Sequence, residues 1–172
     1  MRRLISLTVL AIALAVPAVG YAVVGGGSDD GTLSVKGGVG RVFTSITGSA
    51  VGRLGKGYIR ITDPNPNDGL GFEFSGCDAT TDKSSTSTTI CQSDGKGSVV
   101  RFRAIGGKYL ITLKGSGIFL SAVGNGYATL NGAGEDPNIP GTYDGTYSIN
   151  DGPYKSLPDE LHTFTLAAPT GG

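Results

Sequence analysis

Residues 52–61 read GRLGKGYIRI and residues 120–130 read LSAVGNGYATL. Each stretch carries Gly-x-Gly-Tyr and then alternates apolar with polar side chains, the period-2 pattern of a strand with one buried face. Asn125-Gly126 is a strong hairpin signal, because a type I′ turn needs positive φ at both central residues and Asn and Gly tolerate it. Lys56-Gly57 is its less ideal counterpart. A phosphate-cradling reading of Gly-x-Gly would need the strand, glycine loop and helix of a βαβ unit, and no helical period follows either copy. The motif is therefore read as backbone geometry.

Working outward, the chain matches itself at a step of 67 residues, the distance from Leu33 to Val100. Leu33-Ser34-Val35-Lys36 falls on Val100-Arg101-Phe102-Arg103, both alternating. Residues 41–48 fall on 108–115, which sets Val42 and Ile46 beside Tyr109 and Leu113 as core positions. After a two-residue slip, residues 55–58 fall on 124–127, so that Tyr58 and Tyr127 correspond. The halves end alike, at Asp63-Pro64-Asn65 and Asp136-Pro137-Asn138, where Asp and Pro set turns. Further strands are expected from Tyr143 to Tyr147, around Asn150-Asp151-Gly152, and from His162 to Leu166. No long stretch has helical periodicity. Many short strands separated by glycine turns mean an antiparallel sheet fold. The expected class is all-β: an antiparallel β-sandwich or a closed or partly closed β-barrel. It would be built from two similar four-strand halves related by a pseudo-twofold, with a C-terminal hairpin. One β-domain is expected over 31–168, with halves at 31–63 and 98–131. Between them, 64–97 forms an insertion holding a cystine loop, with a flexible segment at 23–30 and a disordered tail at 169–172.

The first residues read as a cleaved signal peptide, 1–22. Arg2 and Arg3 precede an apolar run from Leu4 to Val16, and Gly20-Tyr21-Ala22 offers a small-residue cleavage site. The run is too short to span a bilayer, and no membrane span is expected elsewhere. The protein is thus expected to be secreted or extracytoplasmic. In that compartment Cys77 and Cys91 are expected to form one disulfide. The chain has 14 Lys and Arg against 14 Asp and Glu, and losing Arg2 and Arg3 leaves it slightly acidic. That balance argues against a nucleic-acid partner. Glycine is in excess, at 30 of 172 residues.

Catalysis finds little support. The one histidine, His162, has no neighbouring nucleophile motif, and its bland reading is a polar residue on a terminal strand. Glu73 with Asp78 or Asp94 is a carboxylate pair of the kind a glycosidase uses, although surface charge explains them too. No catalytic residue is assigned. No cofactor is expected, with calcium as a possible exception: Asp63, Asn65, Asn67 and Asp68 in DPNPNDG are oxygen donors at close spacing, echoed by Glu135 and Asp136. That loop departs from the EF-hand pattern, since Asp68 stands at the sharp-turn glycine and Phe74 at the twelfth position. Tyr143, Tyr147 and Tyr154 form the candidate ligand site, because amphipathic rings with polar neighbours stack on sugars; capping the core is the plainer role for each.

DGTLSVKGGVGRV, AVGRLGKGYIRITDPNPNDG, FRAIGGKYLITLKGSGIFLSAVGNGYATLNG and DGTYSINDGPYKSLP together resemble secreted glycine-rich β-proteins of actinobacteria. The resemblance spans roughly residues 30–158 and is one of pattern. It implies a bacterial extracytoplasmic β-domain and transfers no activity or site residue. The expectation is a non-catalytic envelope or binding protein, its partner a cell-envelope polysaccharide or an extracellular protein. The alternatives are a calcium-stabilised adhesion module, a small secreted hydrolase, and a protease inhibitor using the cystine loop.

Overall fold

The structure, a computed structural model, describes residues 29–133 and 144–168. The signal-peptide segment, Tyr143, the Glu135-Asp136 turn and the tail 169–172 lie outside the described residues. The described chain forms β1 (Gly31–Leu54), β2 (Lys56–Thr62), β3 (Gly71–Ser75), β4 (Ala79–Lys83) and β5 (Thr88–Ser93). β6 (Val100–Gly132), β7 (Thr146–Ile149), β8 (Lys155–Ser156) and β9 (His162–Leu166) follow. A single turn of 3-10 helix, Ser84–Thr86, is the one helical element among the described residues.

All pairings are antiparallel, and the sheet runs β4-β5-β2-β6-β1-β7-β8, with β3 and β9 also pairing with β6. The sheet is not closed. The closed barrel is therefore the one expected alternative that the chain does not adopt, and the architecture is compatible with a β-sandwich.

Alternation makes these strands. In β2, Ile59 and Ile61 are buried and Arg60 is exposed; in β1, Val42, Thr44 and Ile46 point inward and Arg41 and Thr47 outward. Val42 lies opposite Leu113, Ile46 opposite Tyr109 and Ile59 opposite Leu113, all within one buried cluster. Each such side chain contributes roughly 1.5–3 kcal/mol on burial. Thr44, also fully buried, donates its hydroxyl to the Tyr127 carbonyl at 3.1 Å, so its polar atom costs little there.

The long strands β1 and β6 pair twice. In one register Gly31–Leu54 runs against Gly124 back to Val100; in the other Gly40–Arg53 runs against Gly132 back to Phe119. Residues 119–124 are consequently flanked by both ends of β1, and the sheet must fold over on itself. Strands that pass from one layer to another need sharp corners, and glycine is the residue that permits them. Gly48 faces Gly124 and Gly57 faces Gly115, with φ of 155°, 149°, 124° and 142° respectively. A methyl on Gly124 would collide with the Thr47 carbonyl oxygen and sit 2.8 Å from the Gly48 Cα. The two glycine contacts repeat each other, since 115 less 48 and 124 less 57 are both 67.

This placement corrects the turn assignment. Asn125-Gly126 lies inside β6 opposite Thr47 and Ile46, Lys56-Gly57 lies inside β2, and Asn125 is not at positive φ. Gly-x-Gly lies within a continuing strand, where close strand approach excludes a side chain. Tyr58 lies opposite Lys114 and Tyr127 opposite Ser45. The type I′ geometry appears instead at Asn150-Asp151, with φ of 50° and 57°, where Gly152 N–H donates to the Ile149 carbonyl and β7 turns into β8.

Much of the 64–97 insertion is strand. It holds β3, which pairs with β6, and a hairpin of β4 and β5 that extends the sheet from β2. The Cys77–Cys91 disulfide, with Cα atoms 5.4 Å apart, ties the chain before β4 to the fully buried Cys91 of β5. Closing a loop of this length is worth about 3 kcal/mol in the chain-entropy account. Among the described residues no helix is long and apolar enough to cross a membrane.

Candidate functional site

The outward positions of one layer are fixed by the same alternation that fills the core. Across neighbouring strands the register sets Ser34 beside Ser121, Ser121 beside Val51, and Val51 beside Arg103. One step along, Phe119 faces Arg53 and Arg53 faces Arg101, while Lys36 follows Val35, whose partner Leu120 adjoins Phe119. These side chains border a groove of about 530 Å³ across β1 and β6. That volume lies in the range of small-ligand clefts.

The groove is cationic. Lys36, Arg53 and Arg101 border it and no carboxylate does. Arg53 and Arg101 are exposed, and like charges placed directly opposite on adjacent strands repel. The ion pair among the described residues involves the next arginine, Arg103, whose Nε lies 2.6 Å from Glu73 Oε1. The aromatic rings here are already partnered by cations. The Arg53 guanidinium sits 4.0 Å above the Phe119 ring and the Lys36 ammonium 3.9 Å above the Tyr154 ring. The Tyr154 and Ser34 hydroxyls are hydrogen-bonded at 2.8 Å. Lys36 first, and then Ser34, hold the Tyr154 phenol below its ordinary value.

The candidate tyrosines separate. Tyr154 is exposed at the rim of this groove, through its contacts with Ser34 and Lys36. Tyr147 is buried, its ring 5.2 Å from that of Phe164, because its position opposite Val35 on β1 directs it to the core; it cannot be a ligand platform. Tyr143 lies outside the described residues. Sequence reading missed Lys36, Arg53, Arg101 and Phe119. The available signal was the alternation itself, which puts 34 and 36, 51 and 53, 101 and 103, and 119 and 121 all on the side opposite the core.

The calcium candidates lie on the turn that follows β2. Asp63 is buried and its Oδ1 accepts from the Asn65 amide at 3.0 Å, while Asp68 Oδ1 accepts from the Lys108 amide at 3.3 Å; Asn65 and Asn67 are exposed. Among the described residues no group of three or more His, Cys, Asp and Glu side chains is placed to hold a metal ion. The carboxylate pair is similarly divided. Glu73 bonds Arg103, whereas Asp78 accepts from the Asp94 amide and Asp94 from the Lys96 amide, bonds that shape the loop after β5. His162 is exposed at the start of β9, its ring 5.6 Å from that of Phe164. A second cleft of about 290 Å³, bordered by Asp63, Phe72, Asp82 and Thr88, lies where β2 and β5 meet the 64–70 loop.

No protein-family model, curated protein or solved structure matches the chain.

Proposed function

We propose that this protein is an exported, non-catalytic binding module that holds a glycan of the cell envelope on the outer face of its sheet. The observation that carries the reading is the groove across β1 and β6. It is a concave surface on rigid strands, with Tyr154, Ser34 and Phe119 offering hydroxyls and ring edges together. Sites built on strands hold their geometry without the ordering cost that a flexible loop pays on binding. The disulfide supports an oxidising compartment, in line with the signal-peptide reading. The paired glycine corners, repeated at the same 67-residue step, support an origin by duplication of one strand unit.

The test is sedimentation of the mature protein with isolated bacterial cell wall and with insoluble polysaccharides. Retention that falls at least about tenfold in Tyr154→Ala is expected, because that change removes the rim hydroxyl and ring together. Failure to sediment with any of these materials overturns the reading.

A further inference from the structure

The charges on this molecule are sorted by structural element. Apart from Lys96, and from Arg2 and Arg3 outside the described residues, every Lys and Arg sits on a strand. Among the described Asp and Glu residues, only Glu73 and Asp82 do; the others occupy turns and loops. An overall charge balance near zero therefore conceals sheet surfaces that are cationic. The sorting is sharpest at the groove, where Lys36, Phe119, Arg53 and Arg101 line up across successive strands and no carboxylate borders the space.

Two features narrow the ligand. Arg53 and Arg101 hold facing positions on neighbouring strands, so two like charges border the groove, with the Arg53 guanidinium lying over the Phe119 ring on its other flank. A planar guanidinium grips a carboxylate through two parallel N–H···O bonds, and two of them converge on one acidic group. The rings at the site have a cation over one face, so they are poor platforms for stacking a neutral sugar or a nucleobase. What remains on offer is charge-assisted hydrogen bonding, supplemented by the Ser34, Ser121 and Tyr154 hydroxyls.

The geometry points to an acidic polysaccharide, with carboxylate-bearing sugars, as the ligand of this groove: Arg53 and Arg101 hold the carboxylate, Lys36 holds a neighbouring one, and the hydroxyls bond the sugar ring. This rests on the glycan-binding reading above and names the class of glycan.

The experiment is titration of the mature protein with polygalacturonate, with neutral dextran, with polyglutamate and with single-stranded DNA at low ionic strength. Binding to polygalacturonate is expected to exceed that to the other three by at least about tenfold, and to weaken by at least about tenfold in Arg53→Ser and in Arg101→Ser, each of which removes a charged donor. It is also expected to collapse near 1 M salt, where screening acts within about 3 Å. Equal binding of polyglutamate or DNA overturns the sugar specificity. Equal binding of dextran, unaltered in Arg53→Ser and Arg101→Ser, overturns the acidic class while leaving a glycan-binding module in place. Absence of binding to all four, with cell-wall sedimentation retained, likewise overturns only this inference; loss of both removes the glycan reading itself. Both variants are expected to remain folded, since these side chains point away from the core, and unchanged far-ultraviolet dichroism checks that.

Discussion

The two faces of β1 and β6 obey opposite rules. On the inner face Val42 meets Leu113, Ile46 meets Tyr109, and the polar atoms, such as the Thr44 and Tyr109 hydroxyls, are hydrogen-bonded. On the outer face of the same strands Arg53 meets Arg101, and no carboxylate borders the groove they share. The inner face is arranged to lower the energy of the fold. The outer face instead sets two like charges on facing positions, a local cost that the Arg53–Phe119 contact offsets in part and that an anion in the groove would turn into a gain.

The largest effect should come from closing the corners that let both faces exist. Gly124→Ala adds a methyl where Thr47 and Gly48 already stand, at a φ that L side chains rarely adopt. Overpacking and backbone strain together should cost about 3 kcal/mol or more. For a domain of this size that lowers the melting temperature by roughly 10 °C. Gly57→Ala should do the same at the equivalent contact, and a variant of either kind with an unchanged melting temperature would contradict the corner geometry.

A smaller effect tests the polar part of the inner face. Tyr109 is buried and its hydroxyl lies 3.0 Å from both the Gly71 and Ile105 carbonyls, able to donate to them. Burial first, and then the Asp63 charge, push its phenol above the ordinary value. The folded protein therefore holds this proton more tightly than the unfolded chain. The resulting stability is fully present below pH 10 or so, the ordinary value, and is lost as pH rises through the higher folded value. Tyr109→Phe should cost about 1 kcal/mol at neutral pH and make alkaline unfolding less steep, as read from melting temperature against pH. An identical alkaline slope in the variant would remove Tyr109 from that role.

The smallest effect has the opposite sign and bears directly on the outer face. Arg101→Ser relieves the repulsion with Arg53 and should stabilise the protein by about 0.2–1 kcal/mol at low salt, with the gain vanishing at high salt. Chemical denaturation at two ionic strengths measures it. A destabilised Arg101→Ser would mean that the two arginines support the sheet and that the faces do not differ as described.

Much of this was legible from residue order. Period-2 alternation marked Val42, Ile46, Ile59, Ile61, Tyr109 and Leu113 as inward, and all are buried. The cysteine pair and the all-β class followed from counting and spacing. The glycines were recognised as punctuation, but their kind was misread: the same Gly-x-Gly serves a reversing turn or a close approach of two continuing strands, and local sequence does not distinguish them. Lys36, Arg53 and Arg101 come from segments far apart in the chain, and each alone looks like an ordinary solvated strand position.

The sequence by itself determined which side of the long core strands faces inward, because a side chain's direction alternates with its neighbour's and apolar burial picks the phase. Only the tertiary structure decided which outward residues become neighbours. That depends on β1 and β6 pairing in two registers around glycine corners, a long-range choice made by packing the whole core, and it is this choice that sets Arg53 against Arg101 and Tyr154 against Ser34.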